Sequence, residues 1–446
     1  MKVKGTYGAV AVLLLCMADN AAAAGFALIE QSASGMGNAF AGAAAIAEDA
    51  STIFFNPAGM TYLPDSQLVI AAHAIKPSVD FSNKGSLSGA GTPMTGGNGG
   101  DAGSWAYVPN LYFSKSVSES VHLGIGINAP FGLKTEYDDN WVGRYHAVKS
   151  ELKTININPS IAFKLNNSVS LGAGINYQRA QADLTNAIDF GTICAGTPLA
   201  AACAGSGITP QQADGKEVKI KGDDWSWGYN LGAILQLTPA TRVGLAYRSR
   251  IKQELDGRIK FTNTPALFTL SPALTSLFAN GKVKADLKLP SMISASIFHQ
   301  ANQSWDVMAD LTWTEWSEFE ELKVVRTSGT VVSAQPEKWD NTLRVSLGTN
   351  YHHSDTLKLR AGIAYDESPV HTAYRTPRIP DSDRYWLSLG ANYRLSSAAT
   401  LDFGYTHLFI KDSSLRQGAI GTSVGRSTGD FDSQVNILSI QYTHTF

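Results

Sequence analysis

Between residues 154 and 165 the side chains alternate in character. Ile155, Ile157, Ile161, Phe163 and Leu165 fall on one face, and Thr154, Asn156, Asn158, Ser160 and Lys164 on the other. The next segment repeats the pattern, with Val169, Leu171, Ala173, Ile175 and Tyr177 set against Ser168, Ser170, Asn176 and Gln178. A two-residue period is that of a β-strand with one apolar face. The apolar stripe suits either lipid outside a barrel or the core of a sandwich. The small residues opposite, including Gly172 and Gly174, favour a barrel around a lumen.

The pattern predicts strands near 67–82, 103–116, 120–135, 148–164, 168–186, 220–237 and 241–260. Seven more follow near 283–300, 303–326, 338–353, 356–370, 381–396, 399–413 and 430–446. The total is fourteen, an even number as single-chain bacterial barrels have. Short turns such as N-N-S, T-P-A-T and H-S-D-T alternate with long connections after every odd-numbered strand. Short turns face the periplasm and long loops face outward, so both chain ends are expected inside. A sandwich has no need of that parity. The last strand ends on Phe446, an aromatic group suited to a lipid interface.

Residues 1–23 read as a signal peptide, with Lys2 and Lys4, an apolar stretch from Ala9 to Met17, and Ala21, Ala22 and Ala23 before the cut. No later stretch has the ~18 apolar residues of a spanning helix. Without the signal, 34 basic residues face 37 acidic ones, which gives nucleic acid no footing. Of the three cysteines, Cys194 and Cys203 remain in the exported chain and are expected to form a local disulfide. No metal site or cofactor is expected, and no Ser/His/Asp constellation suggests an enzyme.

The chain thus divides into a signal peptide (1–23), an N-terminal hatch (24–64) and an outer-membrane barrel (65–446). The hatch segment carries Phe26, Leu28, Ile29, Met36, Phe40, Phe54 and Phe55 and is too apolar for a free tail, so the lumen is its expected place. In the third strand Pro130 has no N–H for a ladder and Gly132 relaxes the backbone. That reads equally as an opening in the wall or as a bulge near the rim. Asn56-Pro57-Ala58 has the chemistry of an ordinary turn. After the seventh strand Leu267, Phe268, Leu270, Leu274, Leu277 and Phe278 place an apolar patch in an outward loop. It is expected to form a binding groove against the disulfide loop, with a loop mini-core as the alternative. Asp381, Asp383 and Arg384, near Asp366 and Glu367, read as lumen salt bridges rather than a catalytic carboxylate pair.

The hatch sequence A-G-F-A-L-I-E-Q-S-A-S-G-M-G-N-A-F-A-G and the later F-F-N-P-A-G-M resemble the FadL-type outer-membrane transporters of long-chain fatty acids and other hydrophobic compounds. W-S-W-G-Y-N-L-G-A-I-L at 225–235, W-S-E-F at 316–319, G-I-A-Y-D-E-S-P-V at 362–370 and R-I-P-D-S-D-R-Y-W-L-S at 378–388 extend the resemblance along the mature chain. It implies a fourteen-stranded barrel with a hatch, ligand capture in an outer groove, transfer to an inner pocket, and sideways exit at a kink in the third strand. The kink falls on Ala129, Pro130, Phe131 and Gly132, which favours the opening. The resemblance gives Asn56, Pro57 and Ala58 a part in transport, with Asn56 bonding hatch to wall, and puts Gly25 and Phe26 near the inner pocket.

A fatty acid also calls for a basic group. Better-known members of the family carry an Arg at the outer end of the fifth strand and a Lys after the ninth, where this chain has Asn186 and Gln335. Arg179, Arg326 and Lys338 are the nearby candidates, and the loss of both cations raises the standing of neutral ligands. The expected function is passive uptake of long-chain fatty acids or related hydrophobic compounds by a monomer in outer-membrane lipid. The alternative is an aromatic hydrocarbon channel of the same fold.

Overall fold

A computed structural model describes residues 25–215 and 219–446; the signal peptide lies outside the described residues. Fourteen antiparallel strands close into one barrel. They are β1 (Ser66–Asn83), β2 (Ala106–Ser118), β3 (Val121–Asn128 and Gly132–Glu136), β4 (Lys149–Lys164), β5 (Val169–Thr185), β6 (Lys219–Thr238) and β7 (Thr241–Arg248 and Ile251–Lys260). The second half comprises β8 (Gly281–Leu289 and Met292–Gln300), β9 (Trp305–Thr314 and Glu321–Arg326) and β10 (Val331–Pro336 and Thr342–His352). It ends with β11 (Leu357–Asp366), β12 (Arg384–Arg394), β13 (Ala399–Ile410 and Ser413–Gly418) and β14 (Arg426–Thr445). Each strand pairs with its neighbours in sequence, and β1 closes on β14 from Gln67↔Thr445 to Asn83↔Gly429. Phe446 donates its N–H to the Ser66 carbonyl at 3.0 Å, completing the seam.

The lipid face is the one the alternation marks. Phe163, Leu171, Ile175 and Leu231 are exposed, whereas Thr154, Asn156, Asn158 and Asn176 are buried. Inside, Asn156 bonds both Asn128 (3.1 Å) and Asn176 (3.0 Å), and Asn158 bonds Asn230 at 3.0 Å. Such bonds hold the buried side-chain amides of the wall in place. Tyr177 stacks on Trp225 with ring centroids 4.5 Å apart on the outer wall, as an interfacial girdle requires.

Two expectations about the strands need correction. The connection after β9 is not a long loop: β9 and β10 run on into a hairpin that turns at 327–330, so β10 begins at Val331 rather than 338. Several strands expected to be continuous are also interrupted. β8 breaks at Pro290 and Ser291, where proline has no N–H to give. β9 leaves β8 after Thr314 (opposite Met292) and rejoins it only at Val324, opposite Ala285. The intervening residues turn inward as a 3₁₀ helix, Trp316–Glu318.

The hatch fills the lumen with a helical turn at Ala33–Met36, another at Thr52–Phe55 and a 3₁₀ helix at Pro57–Tyr62. Ser32 caps the first, accepting from the Gly35 N–H at 3.1 Å. Glu48 at the heart of the hatch is ion-paired with Lys358 and Arg360, and Arg360 with Asp402. Each of these four charges has its opposite, which offsets the cost of taking it from water.

Candidate functional site

The third strand carries a break in the wall. Its ladder to β2 stops at Leu111↔Ile127, so Ala106–Asn110 of β2 pair with β1 alone. On the other side β3 reaches Asn128↔Asn156 and resumes at Gly132↔Lys153, fitting one extra residue against β4. The Thr154 hydroxyl serves the bulge, accepting from the Phe131 N–H at 3.0 Å and donating to the Phe131 carbonyl at 2.5 Å. The result is a slot between β2 and the upper half of β3.

The first hatch residues fill that slot from inside. Leu28 donates to the Pro130 carbonyl at 2.8 Å and Gly132 donates to the Phe26 carbonyl at 2.9 Å, a short antiparallel bridge in place of β2. The Gln31 amide donates to the Ala129 carbonyl at 3.0 Å, and Asn110 of β2 donates to the Glu30 carbonyl at 3.0 Å. Hatch and slot are one hydrogen-bonded unit.

Phe26 is 1% exposed and sits in an aromatic box. Its ring centroid lies 4.7 Å from Trp316, 5.4 Å from Trp339, 5.5 Å from Phe319 and 6.0 Å from Phe131. Gly25 donates to the Asp381 carboxylate at 2.9 Å, and its φ of +61° and the nearness of both tryptophans leave no room for a side chain. The sequence reading missed the box. W-S-E-F was in view only as a resemblance, and the inward turn that brings Trp316 and Phe319 to Phe26 has no periodic signature.

Asn56 is buried, and its amide nitrogen donates to the carbonyls of Ala44 (2.7 Å), Ala233 (3.0 Å) and Leu245 (3.3 Å). Its oxygen accepts from Ala58 at 3.1 Å, which opens the 3₁₀ helix at Pro57. One side chain therefore ties two hatch segments to β6 and β7. Asp381 pairs with Arg384, and Asp383 with Lys411 at 2.8 Å, so these carboxylates are structural ion pairs.

Above the box lies a cavity of about 440 Å³. Leu277 and Phe278 line it together with Leu184, Ile188, Ile193, Leu322 and Val324. Phe268 and Leu274 turn away, into a mini-core with Phe190 and the Cys194–Cys203 disulfide. Leu267 packs on the edge of that core, and Leu270 is 67% exposed. The loop thus forms a mini-core and a cavity wall at once. None of the three basic candidates lines the cavity. Arg179 pairs with Asp223 on the outer wall at 3.0 Å, Arg326 donates to the Leu277 and Ala279 carbonyls, and Lys338 lies over the Tyr374 ring. Among the described residues, the cation that does line it is Arg378, beside Asn186 and Gln335.

Glu337, between the halves of β10, accepts from the Trp339 indole at 3.2 Å. Burial pushes its carboxyl up to about 8, against that hydrogen bond and the Arg378 charge. The folded state then holds the proton more tightly than the unfolded chain, so this stability is complete in acid and is lost as pH rises through about 8. Thermal unfolding of the purified barrel, followed by heat-modifiable gel mobility, should shift to lower temperature as pH rises from about 5 to about 8, with no further loss from this group above that. Glu337→Gln should flatten that slope, and an unaltered slope would rule out Glu337 as its source.

Comparison with known proteins fits this geometry. Residues 14–446 match the family described as outer membrane protein transport protein (OMPP1/FadL/TodX). The chain belongs to this family. The long-chain fatty acid transport protein of Escherichia coli O6:H1 is 34% identical, with 90% of this chain and 91% of that one covered. Outer membrane protein P1 of Haemophilus influenzae is 33% identical over 89% of this chain and 88% of its own. A solved Pseudomonas aeruginosa FadL homologue superposes with a TM-score of 0.87 at 29% identity, covering 94% of this chain and 99% of that one. The Pseudomonas putida toluene transporter TodX shares the fold (TM-score 0.66, 16% identity, 95% and 100% covered). This chain is therefore a bacterial outer-membrane barrel of a transport family, and the slot, the box and the hatch anchor all lie within the matched span.

Proposed function

We propose that this FadL-family barrel is a passive uptake channel for long-chain fatty acids or related hydrophobic compounds. Ligand enters the outer cavity, passes to the aromatic box as Phe26 leaves it, and exits sideways through the β3 slot into lipid. One observation carries this reading: the segment that fills the box also plugs the slot, through Phe26 in the first and Leu28 against Pro130 in the second. Withdrawing that segment empties a pocket and opens the wall in a single movement. Sideways exit also suits the cargo, since an apolar molecule gains nothing by entering water.

A second reading, uptake of neutral aromatic hydrocarbons, is favoured by the uncharged Asn186 and Gln335 on the cavity wall. Uptake of labelled oleate and labelled toluene, by cells lacking their own hydrophobic channel and expressing this chain, tests both. Oleate uptake well above the empty-vector level is expected. Toluene without oleate would establish the second reading, and uptake of neither would refute the channel.

A further inference from the structure

We propose that Arg378 holds the anionic head of the ligand in the outer cavity, so that the cargo is a long-chain carboxylate rather than a neutral hydrocarbon. This rests on the uptake reading above and names its substrate class.

Arg378 comes from the loop between β11 and β12, not from either position where the family resemblance sets a cation. That loop is bolted down beside it: Tyr137 donates to the Pro377 carbonyl at 2.8 Å and Thr135 to the Arg378 carbonyl at 3.0 Å. The guanidinium lies against Asn186, donating to its side-chain oxygen at 3.2 Å, and bonds Ser150 Oγ at 3.0 Å and the Lys149 carbonyl at 3.2 Å. Every one of these acceptors is neutral. Among the described residues Arg378 makes no ion pair, whereas Arg144 has Asp214, Arg360 has Asp402 and Arg384 has Asp381.

Two acids nearby are committed elsewhere. Asp189 on the cavity wall accepts from Thr192 N–H (2.9 Å) and Oγ1 (2.5 Å), and Asp214 is held by Arg144 and Tyr145. Burial raises Glu337 and keeps it a weak counter-charge, while burial, aided by the Arg378 charge, pushes His146 down to about 4. Among the described residues lining the cavity, Arg378 is therefore a cation without an ion-pair partner, at the edge of an apolar wall. A half-buried cation without a counter-ion is costly, and a carboxylate on an acyl chain supplies the charge while its tail covers Leu184, Leu322 and Val324. Gln335 and Gln417, bonded to each other at 2.8 Å, border the same end with neutral donors.

The test is binding of labelled oleate and labelled oleyl alcohol to the mature protein in lipid nanodiscs. The wild type should prefer oleate by about tenfold or more, the size of one charge-assisted hydrogen bond. Arg378→Gln should abolish that preference by weakening oleate binding about tenfold, while Arg378→Lys should keep part of it. Heat-modifiable mobility confirms that each variant is folded. An unaltered preference in Arg378→Gln, or equal binding of both ligands by the wild type, overturns the assignment and leaves the channel reading standing. Binding of neither ligand overturns both.

Discussion

Deleting Pro130 should reduce oleate uptake at least about tenfold, towards the empty-vector level, in a barrel that remains folded. The register shows why a single residue suffices. β3 fits four steps from Asn128 to Gly132 against three steps of β4 from Asn156 to Lys153, so removing one residue restores an unbroken ladder. Proline is the residue to remove because it alone has no N–H to contribute. The realigned strand would then offer its other edge to Ala106–Asn110 of β2, which pair with β1 alone. Closing several ladder bonds across a lipid-facing gap is favourable, since unpaired backbone groups facing hydrocarbon are costly. The hatch bridge at Phe26 and Leu28 would lose its site on the strand at the same time. The control is Pro130→Ala, which keeps the extra residue and should retain most of the transport. Full uptake by the deletion variant would show that ligand leaves by another route.

The parts legible in the sequence are those that lipid contact dictates. Alternation through 154–178 gives both the lipid face and the pairing of β4 with β5, because a slip of one residue would turn Ile155 inward and Asn156 outward. The length of the hatch and its apolar residues place it in the lumen on the same grounds. Above the membrane this constraint lifts. The upper part of β7 keeps its two-residue period, with Lys252, Glu254 and Asp256 exposed, so nothing in it marks the gap before Ile251. The box joins Phe26, Phe131, Trp316 and Trp339, four residues far apart in the chain that no local period connects. Arg378 likewise meets Asn186 across 192 positions, from a loop far in sequence from the outer ends of strands 5 and 9. Charge complementarity over such distances becomes visible only once the loops are folded together.

The hatch is seated on glycines, and that makes its removal testable without damaging the barrel. Gly172 and Gly232 face each other across β5 and β6, and Gly244 lies on β7. A side chain at Gly172 would collide with the backbone of Pro57 and Ala58, one at Gly232 with the Asn56 side chain, and one at Gly244 with the Ala44 carbonyl. Backbone atoms cannot step aside, and Asn56 is tied to Ala233 and Leu245 by its hydrogen bonds. Overpacking of this kind costs about 1–3 kcal/mol per site, and each buried hydrogen-bonding group left without a partner adds about as much again. The strands themselves lose nothing, because leucine suits a strand better than glycine and the new side chains point into the lumen. Gly172→Leu combined with Gly244→Leu should therefore leave a closed barrel with an unseated plug. In planar bilayers its ion conductance should rise by an order of magnitude or more over the wild type, because a barrel freed of its plug admits water. Protease should at the same time cut within residues 25–64 of the folded protein. Unchanged conductance with a resistant hatch would mean that the glycines do not set the fit, and that the ion pairs of Glu48 with Lys358 and Arg360 hold the plug by themselves.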